Sequence, residues 1–131
     1  MANDRRVFGE RGSAIVEFAL VLPILLVVTL ALVQVGLIVR DQLLVVQAAR
    51  AGAREAAVQA DETAIRQAAL DAGPGLNGDR LDVAVQRSGS AGDPVTVDVT
   101  YDEIVAVPFV SWLFPPSASL HAAATMRQEF G

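Results

Sequence analysis

The chain has 131 residues, a formal net charge of -5, a hydrophobic fraction of 53% and no cysteine. The lack of cysteine excludes disulfides, thiol chemistry and a cysteine-linked lipid anchor. All ten basic residues are arginine and they form no stripe. No nucleic acid is therefore expected as a partner, since phosphate contacts supply most of such affinity.

The chain opens with a short basic leader, Met1 to Gly12, in which Arg5, Arg6 and Arg11 favour a cytoplasmic N-terminus. Arg40, Arg50 and Arg54 beyond the apolar run oppose that bias, so charge alone does not set the orientation. From Phe18 to Val39 the sequence carries no charge for roughly 22 residues, which at 1.5 Å per residue crosses the roughly 30 Å hydrocarbon core of a bilayer. The run is too long for the apolar region of a secretory signal peptide and has no cleavage cluster at its end, so it reads as a transmembrane helix over residues 13–40. Two residues stand out in it. Glu17 is an acid at the edge of the membrane run, where a carboxylate is disfavoured and is a functional candidate by default, although at headgroup depth it would simply suit the helix N-terminus. Pro23 removes one helical hydrogen bond and either adjusts the helix or is merely tolerated there.

Gly12 followed by Ser13-Ala14-Ile15-Val16-Glu17-Phe18 resembles the cleavage motif of type IV prepilins. With RGSAIVEFALVLPILL and the later QAARAGAREAA, the chain is similar to the TadE-like family of pilin-like proteins from Tad/Flp pilus systems. The resemblance implies a pilin-like fold and a minor pilin or pseudopilin that a prepilin peptidase cuts between Gly12 and Ser13. It further implies that Glu17 pairs with the new amine of a neighbouring subunit, and that Pro23 serves helix adjustment. The implied partners are the membrane, the prepilin peptidase, other pilin or pseudopilin subunits and the Tad assembly platform. The implied location is the bacterial cell membrane, single-pass, with a cytoplasmic N-terminus, an extracytoplasmic head and a link to adhesion or secretion. The chain is longer than the nearly bare major pilin and has Phe18 where tyrosine is usual, which favours an accessory subunit.

Beyond the membrane, residues 40–57 contain no proline and stay helical in pattern. Arg40, Gln47, Arg50 and Arg54 share one arc, opposite Val45, Val46, Ala49, Gly52, Ala53 and Ala56. The expectation is one rod from about Ser13 to about Ala57, entering a head of residues 41–131. Asp61 reads as the N-cap of a second, short helix that stops at Gly73-Pro74. After the loop GPGLNGD the period changes to two: Leu81, Val83 and Val85 alternate with polar residues, as do Val95, Val97, Val99 and Tyr101 across the turn RSGSAGDP. A third strand is expected from about Ala118 to about Gln128. The expected fold class is α+β, with a three-stranded antiparallel sheet packed on the long helix.

Asp93, Asp98, Asp102 and Glu103 invite a calcium reading, yet they read better as the solvated face of a strand and no EF-hand spacing is present. His121, the single histidine, has no partner in sequence and reads as structural. No nucleophile elbow, phosphate loop or metal-ligand spacing is found, so neither enzyme activity, a metal nor a cofactor is expected. The segment Ile104 to Ala118 concentrates Phe109, Trp112 and Phe114, while Pro108, Pro115 and Pro116 oppose regular structure. A buried crossover, a loop at the membrane interface and a subunit contact are all open readings, with an exposed partner or membrane patch preferred. A different class of function also stands: an uncleaved, membrane-anchored extracytoplasmic binding module that keeps Met1 to Gly12 and uses this segment as its ligand surface. A secreted enzyme is the most distant reading.

Overall fold

The computed structural model describes residues 4–105, 109 and 111–130, with side chains from Gly12 onward. Helix α1 runs unbroken over Asp4–Val58, 55 residues, or about 80 Å at the standard rise. It is thus longer than the rod expected from the sequence, because helical backbone continues back into the leader. The helix also passes through Pro23. Thr29, a turn and a half further on, donates its hydroxyl to the Leu25 carbonyl at 2.8 Å, so this apolar stretch satisfies its one hydroxyl on its own backbone.

Burial along α1 begins at Gln34, which is 1% exposed although it lies in the apolar run. From there a stripe at three- and four-residue spacing faces the head: Gln34, Ile38, Asp41, Val45, Ala48, Gly52 and Ala56. Arg50, Arg54 and Gln47 lie on the opposite, exposed arc, as the wheel requires. From Ala48 onward the residues facing inward are alanine and glycine, so the backbone of α1 lies close to whatever covers it there.

Two elements cover it. Helix α2 spans Glu62–Ala72, and the Asp61 carboxylate accepts from the Thr63 N–H at 2.9 Å as its N-cap. Ile65 and Ala69 of α2 are fully buried against α1. A single 3-10 turn, Gly78–Arg80, follows in the stretch expected as loop, capped by the Asn77 side chain on the Asp79 N–H. Arg66 of α2 fixes this turn by donating to the carbonyls of Gly78 and Leu81 at 2.8 and 2.9 Å.

The sheet is an antiparallel meander, β1 (Leu81–Arg87), β2 (Pro94–Ile104) and β3 (Ser117–Arg127), in that order. Its register sets Val83 opposite Val99 and Val99 opposite Ala122. Side chains alternate faces along a strand, so Val95, Val97, Val99, Tyr101, Leu81 and Leu120 form one buried face that meets the alanine stripe of α1. This is the α+β arrangement expected from the sequence.

The polar residues depart from expectation in two places. His121 has a partner across the sheet: its Nε2 lies 3.3 Å from Asp98 Oδ1, because the antiparallel register sets Asp98 opposite Ala123, two residues from His121 and so on the same face. Glu103 is not on the solvated face with Asp98 and Asp102. It directly follows Asp102, so strand alternation turns it inward, toward Asp41 of α1.

Candidate functional site

Gly12, Ser13, Glu17 and Pro23 occupy little more than three turns of α1. The Ser13 hydroxyl donates to Glu17 Oε1 at 3.3 Å, a pair one helical turn apart. Among the described residues, nothing beyond Gly12's own helix backbone and chain neighbours lies within 4 Å of the point a side chain there would occupy. No residue from 12 to 33 is buried, and Ile15, Phe18, Leu20, Ile24 and Leu32 are among the most exposed large apolar side chains described. A stretch this apolar and this bare is matched to lipid or to other apolar helices rather than to water. The helix is long and apolar enough to cross a membrane, and no residue of its most apolar window is buried by the rest of the chain.

The aromatic segment comes to the same part of the helix. Phe109 and Trp112 are 73% and 74% exposed, Phe114 is half-buried, and Pro108 lies outside the described residues. Trp112 lines a shallow apolar cleft of about 300 Å³ with Pro23, Ile24, Val27 and Val28. Pro23 and Trp112 are 89 positions apart in sequence, and their spacing gives no hint of this meeting. Phe109 adopts a positive φ of 64°, a conformation bulky residues rarely take, and its carbonyl accepts the Trp112 indole N–H at 2.8 Å.

A second cluster lies where the exposed helix enters the head. Asp41, 8% exposed, has Arg40 Nη1 at 3.6 Å from its Oδ1 and Glu103 beside it. Burial pushes the Glu103 carboxyl above its usual range. The charge of Asp41 and a hydrogen bond to it act in the same direction, while Arg80 and Tyr101 oppose the shift. The head is closed at its far end by Arg87, which donates to the carbonyls of Ala56 and Gln59 at 2.7 and 2.8 Å and to Gln128 Oε1 at 3.1 Å. Neither cluster has a spacing motif, because each joins elements that only the tertiary fold brings together. Larger open clefts, about 450 and 620 Å³, border Arg54 and Met126 near that end. Among the described residues no three His, Cys, Asp or Glu side chains gather as a metal site would require.

No curated protein and no solved structure matches the chain. A family model described as TadE-like protein matches residues 12–54. The matched stretch begins at Gly12, includes Glu17 and Pro23, and ends on the arginine arc of α1 inside the head. Over residues 12–54, the apolar helix and its entry into the head, the chain is similar to the TadE-like family.

Proposed function

We propose that this protein is a minor pilin or pseudopilin of a Tad/Flp pilus. It is held in the bacterial membrane by one span with its head outside, and is freed for assembly when a prepilin peptidase cuts between Gly12 and Ser13. The observation that carries this reading is the start of the family match at Gly12, with the acid Glu17 at the fifth position of the chain such a cut would leave. The leader ahead of it is basic, as a cytoplasmic segment should be.

The chemistry of the site suits assembly rather than catalysis. Before cutting, Ser13 and Glu17 bond within one helix. After cutting, Ser13 carries an ammonium at the end of a helix, in surroundings as apolar as the span itself. A neighbour's Glu17 carboxylate is the natural partner for that charge, and in a dry bundle the pair defines the axial register of two subunits more than it adds stability. The bare helix from residue 12 to 33 supplies the apolar surface along which subunits meet. The finer roles follow from this reading: Pro23 adjusts the helix during extraction, and the length of the head, residues 41–131, suits an accessory subunit in adhesion or secretion.

The test is the N-terminus of the membrane-extracted protein, read by mass spectrometry in cells with and without the prepilin peptidase. A start at Ser13 only when the peptidase is present supports the proposal. Retention of Met1 to Gly12 in both strains would make the chain a fixed anchor for its head.

A further inference from the structure

The connection from β2 to β3 brings Trp112, among its described residues, beside α1 well to the N-terminal side of the head. Its base is closed by the Val105 N–H, which donates to the Pro116 carbonyl at 3.4 Å, one step past the paired Ile104 and Ser117. The end of the sheet is level with the entry of α1 into the head, where Gln42 Nε2 donates to the His121 carbonyl at 3.0 Å. Trp112, in contrast, shares its cleft with Pro23, Ile24, Val27 and Val28. From Asp41 to Val28 the helix rises about 20 Å, two-thirds of the thickness of a hydrocarbon core. A helix that crosses the bilayer through this stretch takes the loop in with it.

The composition of the loop is suited to that position. From Ile104 to Leu120 there is no Asp, Glu, Lys or Arg, and three residues are proline, which has no backbone N–H to satisfy. Backbone donors are the main obstacle to irregular structure in hydrocarbon. The Trp112 indole N–H, which in an interfacial tryptophan would reach toward headgroups and water, is instead donated to the Phe109 carbonyl. The ring it belongs to is nevertheless 74% exposed, as is most of Phe109, and Leu113 beside it is uncovered too. An outward-facing apolar surface whose polar hydrogen is satisfied internally suits an apolar medium.

We propose that the connection between β2 and β3 enters the membrane at Phe109 and residues 111–114. Its Trp112 ring contacts lipid acyl chains at the depth of Pro23 and Val28, giving the head a second hold on the bilayer beside α1. The occupant of the exposed face is lipid, because the cleft is continuous with the bare membrane helix. The proposal rests on α1 spanning the membrane and not on processing at Gly12. It implies that extraction of the subunit must withdraw this loop as well as the helix.

Trp112 is the single tryptophan of the chain, so its fluorescence reports this loop alone. The full chain is reconstituted into phosphatidylcholine–phosphatidylglycerol vesicles and recovered by flotation, and its emission is recorded with iodide in the buffer and with bromine at successive positions on the acyl chains. The expected result is blue-shifted emission, insensitive to iodide, with more intensity lost to mid-chain bromines than to bromines near the headgroups. Iodide quenching of floated protein, without bromolipid quenching, would put the loop in water and overturn the proposal while leaving the span intact. Blue-shifted emission that neither quencher reaches would identify a protein contact, a neighbouring copy for instance, and would equally overturn it. Protein that does not float would remove the membrane span and the loop together. A Trp112→Phe chain supplies the background.

Discussion

Gly52 of α1 faces Val97 of β2 so closely that a methyl group built on its Cα would stand 3.1 Å from Val97 Cγ1, with Ala69 Cβ and Ile65 Cγ2 at 3.6 and 3.7 Å. Helix α1, helix α2 and the sheet meet at this one position. Gly52→Ala trades crowding against about 1 kcal/mol of helix propensity, so it should be near neutral. Gly52→Leu has no room on any side and should destabilise the head by about 2–3 kcal/mol through overpacking. Thermal melts of the detergent-solubilised variants check this; a Leu variant that melts with the wild type would mean that the two layers slide apart easily.

The alternation of valines at 81–85 and 95–101 made the sheet and its inner face legible, because one face had to be buried and a period of two leaves no other choice. The same rule, applied strictly, would have turned Glu103 inward, since it adjoins Asp102. The Ser13 to Pro23 stretch was legible as a motif on one helix. The meeting of Trp112 with Pro23 was not, because a connection of twelve residues can fold either way and composition fixes only its medium. Arg66 and Arg87 were illegible for a different reason: both bond to backbone carbonyls, and carbonyls have no sequence signature.

If Glu17 pairs with a neighbouring amine, Glu17→Gln keeps the shape and removes the charge. On the proposed reading the variant should be inserted, and cut after Gly12, to the same extent as the wild type, yet pili should be largely lost, because the neighbour's ammonium would then be left without its counter-ion at a cost of about 3–5 kcal/mol. Glu17→Asp should retain partial assembly. Pilus yield by shearing, measured beside the mature N-terminus, separates assembly from processing. Normal pili from processed Glu17→Gln subunits would remove the pairing role.

Glu103, beside Asp41, makes the head sensitive to pH. The Glu103 carboxyl is raised in the folded state, first by burial and then by Asp41, so the folded chain holds a proton there more tightly than the unfolded chain does. The resulting stabilisation is present below the ordinary carboxylate range and is lost as pH rises through the raised value. Glu103→Gln should therefore melt higher than wild type at pH 7 and lose that advantage as the pH approaches 4. Melting curves of the two proteins across that range test it; an unchanged difference would mean the proton is not shared with folding.

Arg87 joins the end of β1 to the end of α1 through two hydrogen bonds, to the Ala56 and Gln59 carbonyls where the helix terminates, and reaches Gln128 Oε1 just past β3 through a third. The last carbonyls of a helix lack intrahelical donors and carry the negative end of its dipole. A guanidinium supplies two donors and a positive charge at once, and the Phe130 ring lies 5.3 Å from its Cζ on another side. Lysine can reach one carbonyl but not both with the same fixed geometry. Arg87→Met should destabilise the head by about 2 kcal/mol, the loss of charge-assisted bonds to half-buried carbonyls. Arg87→Lys should recover less than half of that. The effect should be local to the distal end: amide exchange should speed up around Ala56, Ala57 and Gln128 while the membrane helix near Pro23 is unchanged. Uniform loss of protection along all of α1 would instead mean that the head and the span unfold as one unit.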